Sequence, residues 1–430
     1  MIQLLLFLFY NLLFFPVLFI VYHSYALFRP KYRKGILGRY GVIKAAEKFR
    51  NHLDNASRDL YLIHCASMGE FEHLKPFVRR LKERLPKSRT VVMFFSPSGY
   101  ENVKSAPGVD LIIYSPFDWW FPVYRFLRIL RPKALLIAKY DVWPNLMWFS
   151  VWRKIPRFLV NATLYDRSSR LKWPLRWLLR PVYGLFDGIF AISEKDRHNF
   201  DQLSGKKTTL VVGDTKYDQV VFRSEESRKK NVLPPEIHDN RMVFVAGSTW
   251  PEDEEHLLPA IRHYLEISPE TLVIICPHEP TAAHLAQLEN GLSGLAFTRL
   301  SQIENSSEQL QVLLIDRIGV LANLYSLADV AYVGGSFKQN IHNVLEPAVY
   351  GIPVLFGPVN QNSHEAQLLK NCGGAIEISG TADLQSHIEK LFSDADFRQQ
   401  TGAAAQKLVA ENRGATDQML DAVMKKLSGE

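Results

Sequence analysis

The sequence predicts an α/β protein with two parallel-sheet domains, preceded by an apolar N-terminal helix. Short apolar runs alternate with stretches of helical periodicity from about residue 58 onward, which is typical of strands buried on both faces of a sheet. The alternation stops at a charged segment around Pro234-Pro235 and then resumes. About 400 residues follow the apolar N-terminus, enough for two domains of ordinary size.

The N-terminal run from Ile2 to Tyr22 is broken only by Gln3, Asn11 and Pro16. Its length is close to the roughly 20 residues that cross a bilayer as a helix. A signal peptide, the main alternative, would have basic residues before the run and a small-residue cleavage site after it. The basic residues follow the run instead, which indicates a cytoplasmic protein body. We therefore predict an uncleaved anchor over residues 1–28; a helix lying in the membrane interface is the other possibility.

Charge is divided unevenly along the chain. Residues 1–220 hold 35 Lys and Arg and 17 Asp and Glu, a net charge of +18, whereas residues 221–430 are net −11. Seven of the eight Trp precede residue 180. A basic, aromatic half attached to a membrane indicates a surface for anionic headgroups or a phosphorylated lipid. Nucleic acid is the competing partner of a basic surface, but no nucleic-acid-binding signature is present.

The apolar runs define the predicted strands. In the first domain, residues 29–222, they are Leu60–His64, Thr90–Phe95, Leu111–Tyr114, Ala134–Ala138, Arg157–Asn161, Gly188–Ile192 and Thr209–Val212. Residues 223–240 are a predicted linker. In the second domain, residues 241–430, the strands are Met242–Ala246, Leu272–Cys276, Val312–Ile315, Val330–Val333 and Ile352–Phe356, and the tail from Asp383 to Leu427 is helical. Ligands of such sheets bind beyond the carboxyl ends of the strands, so we expect the sites of both domains to face a shared cleft.

Metal and disulfide chemistry are not indicated. Cys65, Cys276 and Cys372 are well separated and form no CxxC pair. The P-loop, HExxH and GxSxG patterns do not occur. The DxD at Asp394–Asp396 lies in a helical context and is predicted to be solvated surface. The sequence therefore predicts no metal and no cofactor.

The segment from Gly334 to Pro358 is the strongest candidate site. It follows a buried strand with two glycines, which allow a tight turn and a close approach of the backbone. His342, Asn343 and Glu346 come next, ahead of a helical stretch. This arrangement is where α/β sheets hold nucleotides and their phosphates. An ordinary strand-to-helix turn is the alternative.

Three further polar segments follow strands of the first domain. Glu70 lies near a helix N-terminus, where a carboxylate serves either as a general base or as a cap. Lys139 begins a KYDVWPN turn, and Lys216 in GDTK could meet an anionic leaving group or lie in solvent. In the second domain, Gly247–Pro251 suits a capped helix start. The segments Pro277–Pro280 and Arg317–Val320 follow two other strands.

The motifs HCASMGE, KYDVWPN, GDTKYD, GSTWPEDEE, PHEP and GGSF…IHNVLEPA…GIPVLFGP occur in this order. Together they resemble the 3-deoxy-D-manno-oct-2-ulosonic acid (Kdo) transferases, membrane-anchored GT-B glycosyltransferases of lipopolysaccharide synthesis with two Rossmann-like domains. The resemblance extends over the whole chain, including the apolar N-terminus. No single motif is specific to that family, but the set of motifs in this order is.

The resemblance implies transfer of Kdo from CMP-Kdo to a lipid A precursor (lipid IVA), with inversion and without metal, at the bacterial inner membrane. Glu70 matches the proton acceptor, and Lys216 matches a transition-state stabiliser. The implied CMP-binding residues are Pro277, His278, Ile318, Gly319, Val320, Asn343, Val344, Leu345 and Glu346. Candidate phosphate contacts for the lipid are Arg167, Arg170, Lys172 and Arg176.

The sequence departs from the family pattern in three places. Lys139 stands where many members have a glutamate at the second transition-state position, so its role is open. His278 stands where an Arg is usual, and Asn340-Ile341 replaces a Gly-Gly pair. Two other functions remain open: a GT-B enzyme that uses a UDP-sugar, and a non-catalytic binding protein derived from an enzyme. Retention of Glu70 and Lys216 argues against the second.

Overall fold

The computed structural model describes residues 2–53, 59–305 and 310–429. Internal contacts divide the chain into two compact units. Unit 1 comprises Met1–Gln219 and Arg413–Glu430, and unit 2 comprises Val220–Asn412. Each unit is built on a seven-stranded parallel sheet, which confirms the predicted α/β class.

Five helical segments precede the first strand of unit 1. They are α1 (Ile2–Phe9), a π-helical turn (Tyr10–Phe14) and α2 (Phe15–Phe28), which form one rod, followed by α3 (Pro30–Tyr40) and α4 (Val42–Asn51). The amide of Phe15 donates to the carbonyl of Tyr10, five residues back. Pro16 follows directly and has no amide hydrogen, and such a break in the regular ladder commonly accompanies a π turn.

The sheet of unit 1 has the strand order β3-β2-β1-β4-β5-β6-β7. Its elements are β1 (Leu60–Cys65), α5 (Met68–Arg84), β2 (Arg89–Phe94), α6 (Pro97–Asn102), β3 (Leu111–Tyr114), α7 (Trp120–Leu130), β4 (Ala134–Ala138), α8 (Pro144–Trp152), β5 (Arg157–Ala162), α9 (Leu175–Tyr183), β6 (Gly188–Ala191), α10 (Glu194–Ser204), β7 (Thr209–Val211) and α11 (Thr215–Arg228). Along β1, Leu60 and Leu62 pack in the core on one face, whereas Tyr61 and Ile63 pack on the other. Burial on both faces explains why the strands are continuous apolar runs.

The sheet of unit 2 has the order β10-β11-β9-β8-β12-β13-β14. Its elements are α12 (Pro235–His238), β8 (Val243–Thr249), α13 (Pro251–Ile267), β9 (Leu272–Pro277), α14 (Ala282–Gly291), β10 (Phe297–Arg299), β11 (Val312–Leu314), α15 (Leu321–Leu324), β12 (Val330–Val333), α16 (Leu345–Ala348), β13 (Val354–Phe356), α17 (His364–Asn371), β14 (Ala375–Glu377), α18 (Thr381–Ser393) and α19 (Ala395–Glu411). The edge strands β10 and β14 were not predicted from the sequence. Each has three residues that are mostly half-buried, so neither forms an apolar run.

The last helix, α20 (Ala415–Ser428), packs in unit 1. The sequence-based division placed it in the second domain. Met419, Leu420 and Val423 belong to the core on the α5 face of the unit 1 sheet. Arg80 also pairs with Asp417 at 2.6 Å. The chain therefore returns to unit 1 after completing unit 2, which sequence order alone does not reveal.

The predicted linker is also partly helical. Helix α11 continues through Arg228, so residues 223–228 are its last turns and not a linker. Asp218, on the same helix, accepts the amides of Gly414 and Thr416 at 2.7 Å each, at the start of α20.

The apolar N-terminal rod packs lengthwise on unit 1, and its polar residues make the specific contacts. Gln3 accepts a hydrogen bond from the Trp148 indole at 2.8 Å. Near the other end, His23 and Tyr40 are in hydrogen-bond contact at 3.0 Å. Aromatic contacts lie between, including Phe15 with Trp119 at 5.9 Å. The rod is therefore part of the unit 1 fold.

Two buried polar contacts lie midway along the rod. Tyr10 donates to the Asp118 carboxylate at 2.8 Å. Asn11 and Asn145 exchange reciprocal amide hydrogen bonds of 2.8 and 3.0 Å. Asp118 also accepts the amides of Asn145 and Leu146 at 3.0 Å each, and burial raises its pKa to about 6.

The opposite face of the rod is apolar and exposed. The segment Gln3–Phe28 has a mean hydropathy of 2.6 and is long enough to cross a membrane. A core helix of a soluble protein or a signal sequence can show the same length and composition; unlike a core helix, this one is mostly exposed. Leu12 is 74% exposed and Leu27 is also 74% exposed. An apolar stripe of this size in water indicates an interaction surface.

Candidate active site and nucleotide-binding loops

Glu70 lies in the first turn of α5, directly beyond the carboxyl end of β1. Its carboxylate accepts the backbone amide of Ala66, in the turn that precedes the helix, at 2.6 Å. The side chain is buried, with 7% of the residue exposed. Burial raises the pKa of Glu70, and the charge of Asp141 raises it further, whereas the Ala66 amide, His64 and Lys139 lower it. The site holds a carboxylate with increased proton affinity, as a general base requires.

The turn after β4 places two charged residues beside Glu70. Lys139 adopts a left-handed backbone conformation with φ of 57°, which is strained for a residue with a side chain. Asp141 accepts hydrogen bonds from the Trp143 indole at 3.1 Å and pairs with His64 at 3.2 Å. Burial opposes ionisation of Asp141, but His64 and Trp143 hold its pKa below the usual range. Since β1 and β4 are neighbours in the sheet, the structure brings Glu70, Lys139 and Asp141 together.

Lys216 lies at the start of α11, after β7. Its amide donates to Asp214 at 2.9 Å, and its ammonium pairs with the same carboxylate at 3.2 Å. The preceding Thr215 hydroxyl donates to the carbonyl of His73 on α5. The first turn of α11 is thereby held against the helix that carries Glu70.

The four basic residues proposed for phosphate contact lie between β5 and the first turn of α9. Arg167 and Lys172 are exposed, and Arg170 and Arg176 are half-buried. The Arg170 guanidinium lies 4.6 Å from the centre of the Tyr140 ring, in the turn that also holds Asp141.

In unit 2 the Gly-rich turn after β12 is fixed by Asp253 from the first turn of α13. This buried carboxylate accepts the amides of Gly335 at 2.8 Å and Ser336 at 3.3 Å, and the Tyr332 hydroxyl at 2.8 Å. Gly335 has φ of 78°, and a Cβ on Gly334 would lie 2.3 Å from the carbonyl oxygen of Ser248. Both glycines are therefore required by the path of the backbone.

Three aromatic side chains are in mutual contact beside this turn. The His278 ring stacks on both Trp250 and His342, with ring centres 5.0 and 4.2 Å away, respectively. The Trp250 indole donates to Nε2 of His342 at 3.0 Å. Burial, with a contribution from His278, lowers the pKa of His342 to about 4, so this ring is neutral near pH 7.

Glu346 lies in the first turn of α16. Its carboxylate accepts hydrogen bonds from Arg223 at 3.0 Å and from Asn343 at 3.3 Å, and burial raises its pKa. It also acts electrostatically on Cys276, next to Pro277 at the end of β9. Helix α16 has only four residues, so it is shorter than the sequence predicted.

The remaining predicted nucleotide-binding residues lie at the carboxyl ends of neighbouring strands. Ile318 and Gly319 form a turn after β11, and Val320 precedes α15. Ile318 is 80% exposed. Gly319 has φ of 90°, and the space that a Cβ would enter there is open, with no heavy atom within 4 Å. Strands β11, β9, β8 and β12 are contiguous in the sheet, so the predicted residues share one edge of unit 2.

Within residues 2–53, 59–305 and 310–429, no group of three or more His, Cys, Asp or Glu is placed so that it could hold a metal ion.

Comparison with solved structures defines the class of the fold. The chain superposes on a putative UDP-N-acetylglucosamine 2-epimerase from Listeria monocytogenes with a TM-score of 0.59 and 15% identity, covering 87% of this chain and 98% of that one. At this identity the likeness concerns the fold alone. The two Rossmann-like units are those of a GT-B protein.

Sequence comparison defines the family. A family model described as 3-deoxy-D-manno-octulosonic-acid transferase (kdotransferase) matches residues 35–219. A 3-deoxy-D-manno-octulosonic acid transferase of Haemophilus influenzae is 30% identical over 91% of this chain and 91% of its own. One from Rickettsia felis is 27% identical over 86% of this chain and 80% of its own. The chain belongs to the 3-deoxy-D-manno-octulosonic acid transferase family and is a glycosyltransferase.

Three features of the site were not predicted from the sequence. Asp253 fixes the Gly-rich turn, although the sequence indicated only a capped helix start just before it, at Gly247–Pro251. The pairing of His64 with Asp141 joins residues 77 positions apart. Arg223 lay in the predicted linker, although it binds Glu346. The KYDVWPN motif marked Asp141 as polar beside a strand end, but no pattern pointed to its partner.

Proposed function

We propose that the protein transfers Kdo from CMP-Kdo to a phosphorylated lipid A precursor at the cytoplasmic face of a bacterial inner membrane. The observation that carries the proposal is the buried carboxylate of Glu70, whose pKa is raised, at a strand end of unit 1. Membership of the family supports Kdo as the transferred sugar. The net charge of +18 over residues 1–220 suits a phosphorylated acceptor.

In this reaction Glu70 takes the proton of a sugar hydroxyl on the acceptor as that oxygen attacks the anomeric carbon of Kdo. The bond from that carbon to the CMP phosphate oxygen breaks, and CMP leaves with the bonding electrons. Attack opposite to the leaving group inverts the configuration. Lys216 stabilises the negative charge of the transition state. Lys139, whose charge already lowers the pKa of Glu70, is proposed to act in the same way.

The nucleotide is proposed to bind on unit 2. Glu346 and Asn343 offer an acceptor and a donor for ribose hydroxyls, and Val344 and Leu345 continue the same turn. The ring of His278 offers a stacking surface beside Pro277. Ile318, Gly319 and Val320 would close the site from the turn after β11.

The exposed apolar face of the N-terminal rod is proposed to attach the protein to the membrane. Because the rod is bound to unit 1 from Gln3 to His23, attachment within one leaflet fits the structure better than a free spanning helix. Lys216 and the helix N-termini can stabilise the negative charge of CMP without a metal ion, so the reaction is proposed to be metal-independent.

The test is an assay of purified protein with CMP-Kdo and a tetraacyl, bisphosphorylated lipid A precursor, with products read by mass spectrometry. One or more additions of Kdo, unchanged by EDTA, are expected. Transfer from a UDP-sugar in place of CMP-Kdo would refute the donor assignment. Loss of activity with EDTA that Mg²⁺ restores would refute metal independence.

A further inference from the structure

An apolar groove of about 320 Å³ runs along unit 1 between the N-terminal rod and helices α8 and α9. Leu6, Phe9 and Phe14 line it from the rod, and Trp148, Leu178 and Val182 line it from the opposite side. The groove is open to the exterior beside the exposed face of the rod. An open channel lined by apolar side chains has the chemistry to hold a hydrocarbon chain.

One end of the groove reaches the candidate active site. The lining includes Asp141, Val142 and Trp143, which form the turn after β4. Asp141 pairs with His64 and raises the pKa of Glu70. A molecule held in the groove would therefore have its polar end beside the proposed base.

A second apolar cavity, of about 200 Å³, extends the groove beneath α2. The two share Leu18 and Trp143 as walls. The second cavity is lined further by Phe19, Phe95 and Phe117. The rod thus forms a wall of both cavities.

Positive charge is placed at the polar end of the groove. Arg170 lies over the Tyr140 ring at 4.6 Å and lowers the pKa of Asp141. The groove lining itself includes the Asp141 carboxylate, and Arg170 is the cation that acts on it. An apolar channel with a guanidinium beside its polar end is complementary to an amphiphile whose head carries phosphate.

We propose that this groove binds one acyl chain of the phosphorylated acceptor lipid and so places the sugar hydroxyl of that lipid at Glu70. The inference rests on the proposed function, and it assigns the acceptor-chain site for that reaction. An acyl chain is favoured over a protein segment because the open side of the groove adjoins the apolar face of the rod. A chain of the acceptor is favoured over one of a bulk phospholipid because the groove ends at the proposed base.

The test uses variants in which a larger side chain fills the groove, and it compares their activity on two acceptors. Leu178→Trp and Leu6→Trp place an indole where the chain would lie. Leu5→Trp is the matched control, because Leu5 is the neighbouring residue, is 59% exposed and does not line the groove. Each variant is assayed with the tetraacyl acceptor and with the same phosphorylated disaccharide after its acyl chains are removed.

We expect both filling variants to raise KM for the tetraacyl acceptor on the order of tenfold, since each buried methylene contributes about fourfold in affinity. With the deacylated acceptor, kcat/KM should stay within about twofold of wild type. Leu5→Trp should match wild type with both. Equal losses on both acceptors, or no loss on either, would overturn the assignment. So would a wild type that uses the two acceptors with equal kcat/KM.

A binding measurement separates this proposal from the proposed function. If the wild type transfers Kdo to no acceptor, the proposed function fails, and calorimetric binding of the tetraacyl lipid then tests the groove alone. Binding that Leu178→Trp weakens and Leu5→Trp does not would support the groove. A common phospholipid can be added as a competitor. If it displaces the tetraacyl lipid from the groove as well as the tetraacyl lipid itself does, the acceptor is not the specific occupant of the groove.

Discussion

At the scale of single residues, the proposed base can be tested by removing its ability to accept a proton. Glu70→Gln keeps the size of the side chain and a carbonyl oxygen for the Ala66 amide. Transfer should fall by about 10²–10⁴-fold, the usual contribution of general-base catalysis. Affinity for CMP, measured by calorimetry, should be unchanged.

The control is Glu72→Gln on the same helix, where the carboxylate pairs with Lys75 near the surface. It should keep near wild-type activity. Activity of Glu70→Gln within a few-fold of wild type would exclude Glu70 as the base.

The pH dependence of transfer should show how the charges beside Glu70 change its pKa. The base must be ionised, so kcat/KM should fall as pH decreases through the pKa of Glu70, which burial raises. Lys139 lowers this pKa and Asp141 raises it. Lys139→Met should therefore move the acidic limb of the pH profile to higher pH, and Asp141→Asn should move it to lower pH. Shifts in the same direction would indicate that the limb belongs to another group.

At the scale of secondary-structure elements, the contact of the N-terminal rod with unit 1 depends on the Asn11–Asn145 amide pair. Asn11→Leu leaves the buried Asn145 amide short of a partner, and such a loss costs about 1–3 kcal/mol of unfolding free energy. The double variant with Asn145→Leu should recover part of that loss, because both polar groups are then gone. Thermal unfolding in detergent would measure both effects, with Leu12→Ala, on the exposed face, as a near-neutral control.

The Gly-rich turn of unit 2 depends on Asp253. Asp253→Asn leaves one acceptor oxygen where two now accept from Gly335, Ser336 and Tyr332. We expect a loss of about 2–3 kcal/mol in unfolding free energy, since hydrogen bonds to charged groups are the stronger ones. Affinity for CMP should fall as well. Glu255→Gln, at an exposed position of the same helix, should change neither quantity. Unchanged CMP affinity in Asp253→Asn would show that the turn does not bind the nucleotide.

The elements that could be predicted from the sequence are those whose own residues form a recognisable apolar run. The central strands β1, β4 and β12 are continuous apolar runs because both faces of the sheet are covered. The edge strands β10 and β14 have no such run and were missed. The wrong assignments of Arg223 to a linker and of α20 to the second domain share one cause. In both, the decisive partners are far away in sequence: Glu346 for Arg223, and Arg80 for Asp417.

At the scale of the whole molecule, two forces are expected to hold the protein on a membrane. The apolar face of the rod should give binding to neutral vesicles that does not depend on salt. The basic half should add affinity for anionic vesicles that is lost at high salt, because polybasic attraction is screened within a Debye length. The apolar and the electrostatic contributions can be measured by co-sedimentation of the full chain with both kinds of vesicle, at low and at high salt. Equal binding to both vesicles at low salt would refute the role of the basic half.

The reciprocal amide pair between Asn11 and Asn145 also determines which residues of the rod meet unit 1. An apolar helix on an apolar surface can slide by one turn at little energetic cost, because many positions bury similar area. A buried asparagine removes that degeneracy, as it does in coiled coils, because every shifted position leaves an amide facing hydrocarbon. Asn11 therefore fixes the position of the rod along unit 1. That position sets Leu6 and Phe9 opposite Leu178 and Val182 across the groove.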